Sequence, residues 1–110
     1  MASKILFLNP PLSLKELYKD LEGGGSELPP LGIAILAAIT RENGYETKIL
    51  DSIALKLSID EAVEKILEFS PKYLAITSTT ISIFNAVEVA KKVKEKNKDI
   101  LIILGGPHIT

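Results

Sequence analysis

The sequence predicts an α/β fold built on a parallel sheet, and three observations carry that prediction. Four short apolar runs, at residues 5–8, 48–50, 74–76 and 100–104, each end in a small or polar cluster. Helical patterns follow the first three, so strand and helix alternate. Most of the runs are almost wholly apolar, as expected of parallel strands covered on both faces.

Each element has a local reason. Residues 4–8 (KILFL) form the first strand, stopped by Pro10 and Pro11. Residues 12–30 make a long connection with a flexible Gly23-Gly24-Gly25-Ser26 run. Within it, residues 12–21 carry Leu14, Leu17, Tyr18 and Leu21 at the spacing of a short helix. Pro29 and Pro30 open the next helix, which runs to about Asn43 with Gly44 as its C-cap. Its expected buried stripe is Leu31, Ile35 and Ala38/Ile39, with Gly32, Ala34 and Ala37 keeping the helix thin against the sheet.

Residues 46–51 (ETKILD) are a strand whose mixed polarity suits a sheet edge. Ser58 and Glu61 form a capping box for a helix with Ile59, Ala62/Val63 and Ile66/Leu67 inward, ended by Pro71. Residues 73–77 (YLAIT) are a third strand. Ser82 or Thr80 starts a third amphipathic helix, with Ile83, Ala86/Val87, Ala90 and Val93 inward. Residues 100–104 (ILIIL) are a fourth strand. Right-handed crossovers give a three-layer sheet of order 2-1-3-4, as in flavodoxin-like (Rossmann-like) folds. That order leaves an apolar fourth strand exposed at one edge, which natural proteins avoid. The sequence therefore reads as a domain lacking its last helix and strand, or one whose edge a partner covers.

Composition narrows the function. The 110 residues make one domain of net charge −1, with 46% hydrophobic residues. No basic stripe exists for nucleic acid or an anionic membrane; the lysines of residues 91–98 alternate with acids as a solvated helix face. The absence of cysteine excludes thiolate nucleophiles and thiolate-held clusters on this chain. No apolar stretch is long enough to span a bilayer, and a cytoplasmic location is expected. No Ser/His/Asp set or carboxylate pair is evident, so catalytic residues are not assigned.

In a parallel sheet the four polar clusters gather at the carboxyl ends of the strands, where such sheets bind ligands. Asn9 is either a strand-end turn residue or a ligand contact. Asp51 reads first as a cap of the following loop. Four consecutive hydroxyl residues, Thr77, Ser78, Thr79 and Thr80, exceed what helix capping needs and favour a ligand. Gly105 and Gly106 permit close backbone approach. His108 is the only histidine, and a lone histidine supports no metal site.

The motifs NPP (Asn9, Pro10, Pro11), PPLGIAILAA beginning at Pro29, GY with Asp51, TSTT (77–80) and GGPHIT (105–110) occur together in this order. In this combination the chain closely resembles the N-terminal cobalamin-binding domain of cobalamin-dependent radical S-adenosylmethionine enzymes. The resemblance covers essentially the whole chain. It implies cobalamin across the carboxyl edge of the sheet. The corrin ring would rest over the loops holding Asn9, Pro10 and Pro11, Thr77–Thr80, and Gly105, Gly106, Pro107 and His108. Leu31, Gly32 and Asp51 complete the implied contacts. The nucleotide tail would enter between these loops, with short hydroxyls and bare glycine backbone beside it.

Other cobalamin domains of this fold use a DxHxxG motif whose histidine ligates cobalt. Asn9-Pro10-Pro11-Leu12 stands in that place here. The resemblance therefore implies base-off cobalamin without a histidine ligand. In the parent, it implies a radical domain holding a 4Fe-4S cluster on a CxxxCxxC motif and binding S-adenosylmethionine, with methyltransferase or cyclase activity. Two other readings remain open: a flavin or nucleotide-phosphate module on the same fold, and a structural fragment that self-associates through its fourth strand.

Overall fold

The computed structural model describes residues 3–12, 31–79 and 82–106, with the side chain of Leu31 excepted. The expected helix at 12–21, the glycine run, Pro29 and Pro30, Thr80, Pro107 and His108 lie outside the described residues. The elements are β1 (Lys4–Asn9), α1 (Leu31–Glu42), β2 (Glu46–Asp51), α2 (Ile59–Phe69), β3 (Tyr73–Thr77), α3 (Ile83–Lys96) and β4 (Leu101–Gly105). The strands form one sheet of order β2-β1-β3-β4, with every neighbouring pair parallel. The expected flavodoxin-like order is the one observed.

Strand periodicity sorts the side chains onto two faces. Leu6, Leu8, Leu50, Leu74 and Ile76 meet Ala62, Val63 and Ile66 of α2 and Ala86, Val89 and Val93 of α3. Burying each such leucine contributes on the order of 1.5–3 kcal/mol. The opposite face carries Ile5, Phe7, Tyr73 and Ala75, and it meets Ile33 and Ala37 of α1. Among the described residues, two helices therefore cover one face and one helix covers part of the other.

The capping box on α2 forms as expected. Ser58 Oγ accepts from Glu61 N at 3.1 Å, and Glu61 Oε1 accepts from Ser58 N at 3.0 Å. Gly44 ends α1 at φ +88°, a conformation glycine adopts freely. Ser70 closes α2 in the left-handed region, its N–H donating to Ile66 O.

Two expected stripes are rotated. On α1 the buried residues are Ile33 and Ala37, while Ile35, Leu36 and Ile39 are each about half exposed and Ala38 is exposed. The physical reason is that α1 is apolar nearly all round, so spacing does not select a face. A polar contact does: Thr40 Oγ1 lies 3.0 Å from Thr47 Oγ1 on β2. Gly32 and Ala34 are exposed, so only Ala37 meets the sheet as a small residue. On α3 the inward residues are Ala86, Val89 and Val93, with Ala90 partly buried; Val87 faces solvent. The fourth strand starts one residue later than expected because Ile100 turns into the core, 1% exposed.

Candidate functional site

The carboxyl edge is ordered by register. Asp51 pairs with Asn9, and Thr77 pairs with Gly105. Asn9 and Thr77 each lie one residue beyond the matched pair Leu8 and Ile76. Asp51, Asn9, Thr77 and Gly105 thus form one row across the sheet, on the face that α1 covers. The row beneath it on that face is apolar: Ile49, Phe7, Ala75 and Ile103. A polar rim stands over an apolar floor.

Beside that floor lies a cleft of about 440 Å³. Phe7, Ala75 and Ile103 line it from the sheet, and Gly32, Ile33 and Leu36 from α1. Thr77 and Gly105 line its rim, and Thr77 carries the polar side chain among the lining residues. A Cβ added at Gly105 would meet nothing within 4 Å, so that position adds open space. The neighbouring Gly106 differs. Its φ is +109°, and an added Cβ would lie 2.5 Å from Ser78 O and 2.9 Å from Thr77 Oγ1. Gly106 also lines the cleft, but its missing Cβ serves the fold itself, whereas Gly105 and Gly32 leave room at the cleft.

The remaining candidates are distributed by what already holds them. Asn9 Nδ2 donates to Asp51 Oδ1 at 3.0 Å, and Asp51 Oδ1 also accepts from Ala54 N at 3.2 Å. The expected capping role of Asp51 is present, joined by a bond to Asn9. Pro10 and Pro11 are buried, and Pro11 O accepts from Asn85 Nδ2 at 2.8 Å. Ser78 is fully buried, and both its N–H and its hydroxyl donate to Gly105 O, at 2.8 and 3.2 Å. That pair of bonds ties the end of β3 to β4. Thr79 is exposed, with its N–H donating to Ser82 Oγ at 3.0 Å. Leu31 opens α1, and Gly32 reaches the cleft.

Sequence reasoning did not single out Phe7, Ala75, Ile103 or Leu36 as site residues. Their signal was present in the strand alternation, since each sheet residue sits two positions before a rim residue. Asn85 carried no such signal. Among the described residues, no group of three His, Cys, Asp or Glu side chains is placed to hold a metal ion. None of the described helices is long and apolar enough to cross a membrane.

Comparison with known proteins identifies the family. A family model described as the B12 binding domain matches residues 23–110. The chain belongs to the B12-binding domain family. As such it is a binding module, and the rim and cleft lie at the carboxyl edge of its sheet.

Three relatives match over most of this chain. An uncharacterised methyltransferase of Pyrococcus horikoshii is 36% identical over 109 residues, covering 97% of this chain and 22% of the relative. An anaerobic magnesium-protoporphyrin IX monomethyl ester cyclase of Rubrivivax gelatinosus is 32% identical over 112 residues, covering 97% of this chain and 19% of the relative. The cyclase of the same name from Cereibacter sphaeroides is 30% identical over 99 residues, covering 86% and 16%. The chain thus spans about a fifth of the length of these relatives. No solved structure gave a significant match.

Proposed function

We propose that this B12-binding domain holds cobalamin across the rim at Asn9, Thr77 and Gly105, with the aromatic base of the nucleotide tail in the cleft under α1. The observation that carries this reading is the pairing of an apolar floor with a single hydroxyl and an open glycine. An aromatic base buries well against Phe7, Ala75, Ile103 and Leu36. Thr77 Oγ1 can satisfy one ring nitrogen or sugar oxygen, since a hydroxyl both donates and accepts. The absent Gly105 side chain leaves backbone within reach of the tail. These residues fit the group.

The chain binds and orients; when bound, cobalamin would supply cobalt-centred group-transfer chemistry to the parent. Asn9-Pro10-Pro11 stands where other such domains carry a histidine, so the bound form is base-off without a histidine ligand. The parent is a cytoplasmic radical S-adenosylmethionine enzyme of the methyltransferase or cyclase type, carrying a 4Fe-4S cluster in a separate domain. The names of the relatives, a methyltransferase and two cyclases, support that class.

The test is a hydroxocobalamin titration, followed by desalting and an absorption spectrum. Retained corrin with a base-off spectrum is expected. No retention, by this chain or by the polypeptide extended through its radical domain, overturns the reading. A second property rests on a separate observation. Leu101 and Ile103 on the edge strand β4 are 51% and 52% exposed, so the chain by itself would self-associate through that edge.

A further inference from the structure

We infer that Asp51 is a positioning residue, which orients the Asn9 amide so that its carbonyl oxygen accepts a hydrogen bond from an amide N–H of the corrin periphery. This deepens the cobalamin reading and rests on it.

The orientation follows from hydrogen-bond chemistry. Asn9 and Asp51 sit opposite one another in register, at the carboxyl ends of β1 and β2. Their side chains meet at 3.0 Å. An ionised carboxylate only accepts, so the NH₂ end of the Asn9 amide must face Asp51. Asp51 is itself held, because Oδ1 also accepts from Ala54 N. The Asn9 backbone is fixed from the same strand, its carbonyl accepting from Ser52 N at 3.0 Å. With both ends of the pair anchored, Oδ1 of Asn9 is turned away from β2, and the cleft lies on that side of β1. Among the described residues no donor reaches Oδ1, and Asn9 is half buried.

The rim therefore offers a fixed acceptor at Asn9. Its complement is a neutral N–H donor, which is the chemistry of the primary amides carried around a corrin ring. A pair of this kind also separates the ring contact at Asn9 from the tail contact at Thr77.

The experiment measures the affinity of the chain, or of its extended polypeptide, for aquocobalamin and for cobinamide, which keeps the ring amides and lacks the nucleotide base. Asn9→Ala is expected to weaken both by the same factor, about five- to tenfold. Asn9→Asp puts two carboxylates in contact and is expected to weaken both at least as much. The exchanged pair, Asn9→Asp with Asp51→Asn, rebuilds the bond in reverse and still presents an acceptor. It is expected to recover both affinities to within about threefold of the original. Melting temperatures, taken alongside, separate this from loss of folding.

Three results overturn the inference while leaving cobalamin binding intact: unchanged affinities in Asn9→Ala, an effect on cobalamin alone, or an exchanged pair no better than Asn9→Asp. Failure of the unaltered protein to bind either corrinoid removes the cobalamin reading, and this inference with it.

Discussion

At the scale of single residues, adjacent glycines have opposite duties. Gly106 holds a positive φ, and its missing Cβ is replaced by the backbone of Ser78. Gly106→Ala is expected to lower stability by about 1–3 kcal/mol from the backbone conformation alone, with the steric clash adding to it. A urea or thermal melt measures this. Gly105→Ala meets open space and is expected to leave the melt unchanged while reducing cobalamin retention on desalting. Thr77→Val removes the hydroxyl at the cleft with little change in shape. It should weaken aquocobalamin severalfold and spare cobinamide, because only the former carries the base. Of these distinctions the sequence showed the residue types and not the duties. Four hydroxyls in a row read alike, yet of the three among the described residues Ser78 is held by Gly105, Thr79 by Ser82, and Thr77 lines the cleft. Strand alternation separates 77 from 78 only once the two faces are known.

At the scale of elements, legibility tracked the strength of local chemistry. The α2 helix was readable in full because its capping box is a local device, complete within residues 58–61. Ser58→Ala is expected to cost about 1 kcal/mol in a melt at neutral pH. The backbone and hydroxyl of Ser58 hold the Glu61 carboxyl below its ordinary range. A depressed carboxylate contributes stability that is present above its unfolded value, about pH 4.3, and lost as pH falls through the folded value. Glu61→Gln should therefore flatten the acid limb of the stability curve slightly, since Glu61 is solvent-exposed and the effect is screened. By contrast, α1 was misread by about half a turn. An apolar helix offers no polar face to count from, and the Thr40–Thr47 contact that fixes its rotation joins two different elements. The same limit applies to the pair of Asn9 and Asp51, which are 42 residues apart in sequence.

At the scale of the whole molecule, the order of strands was legible because right-handed crossovers and short connections leave few alternatives. What pattern alone left open was the uneven covering of the sheet. Residues that read as core, Ile35 and Ile39 on α1, are half exposed, as are Leu36 and the edge-strand residues Leu101 and Ile103. Replacing Leu101 and Ile103 together by lysine is expected to shift the isolated chain toward monomer in analytical sedimentation, with the core strands β1 and β3 undisturbed. An unchanged association state would assign self-association to another surface.

Among the described residues one helix covers the cleft side, and this has a consequence for how the domain would respond to supply of its ligand. With Ile33 and Ala37 of α1 as the buried helical residues on that face among the described residues, an occupant of the cleft would become part of the interior, and folding and loading would become linked equilibria. Corrinoid at a hundredfold excess over its dissociation constant would add about 2.7 kcal/mol to the native state. The vitamin would then act as a chaperone of its own carrier, and scarcity of B12 would be felt first as a shorter lifetime of the protein.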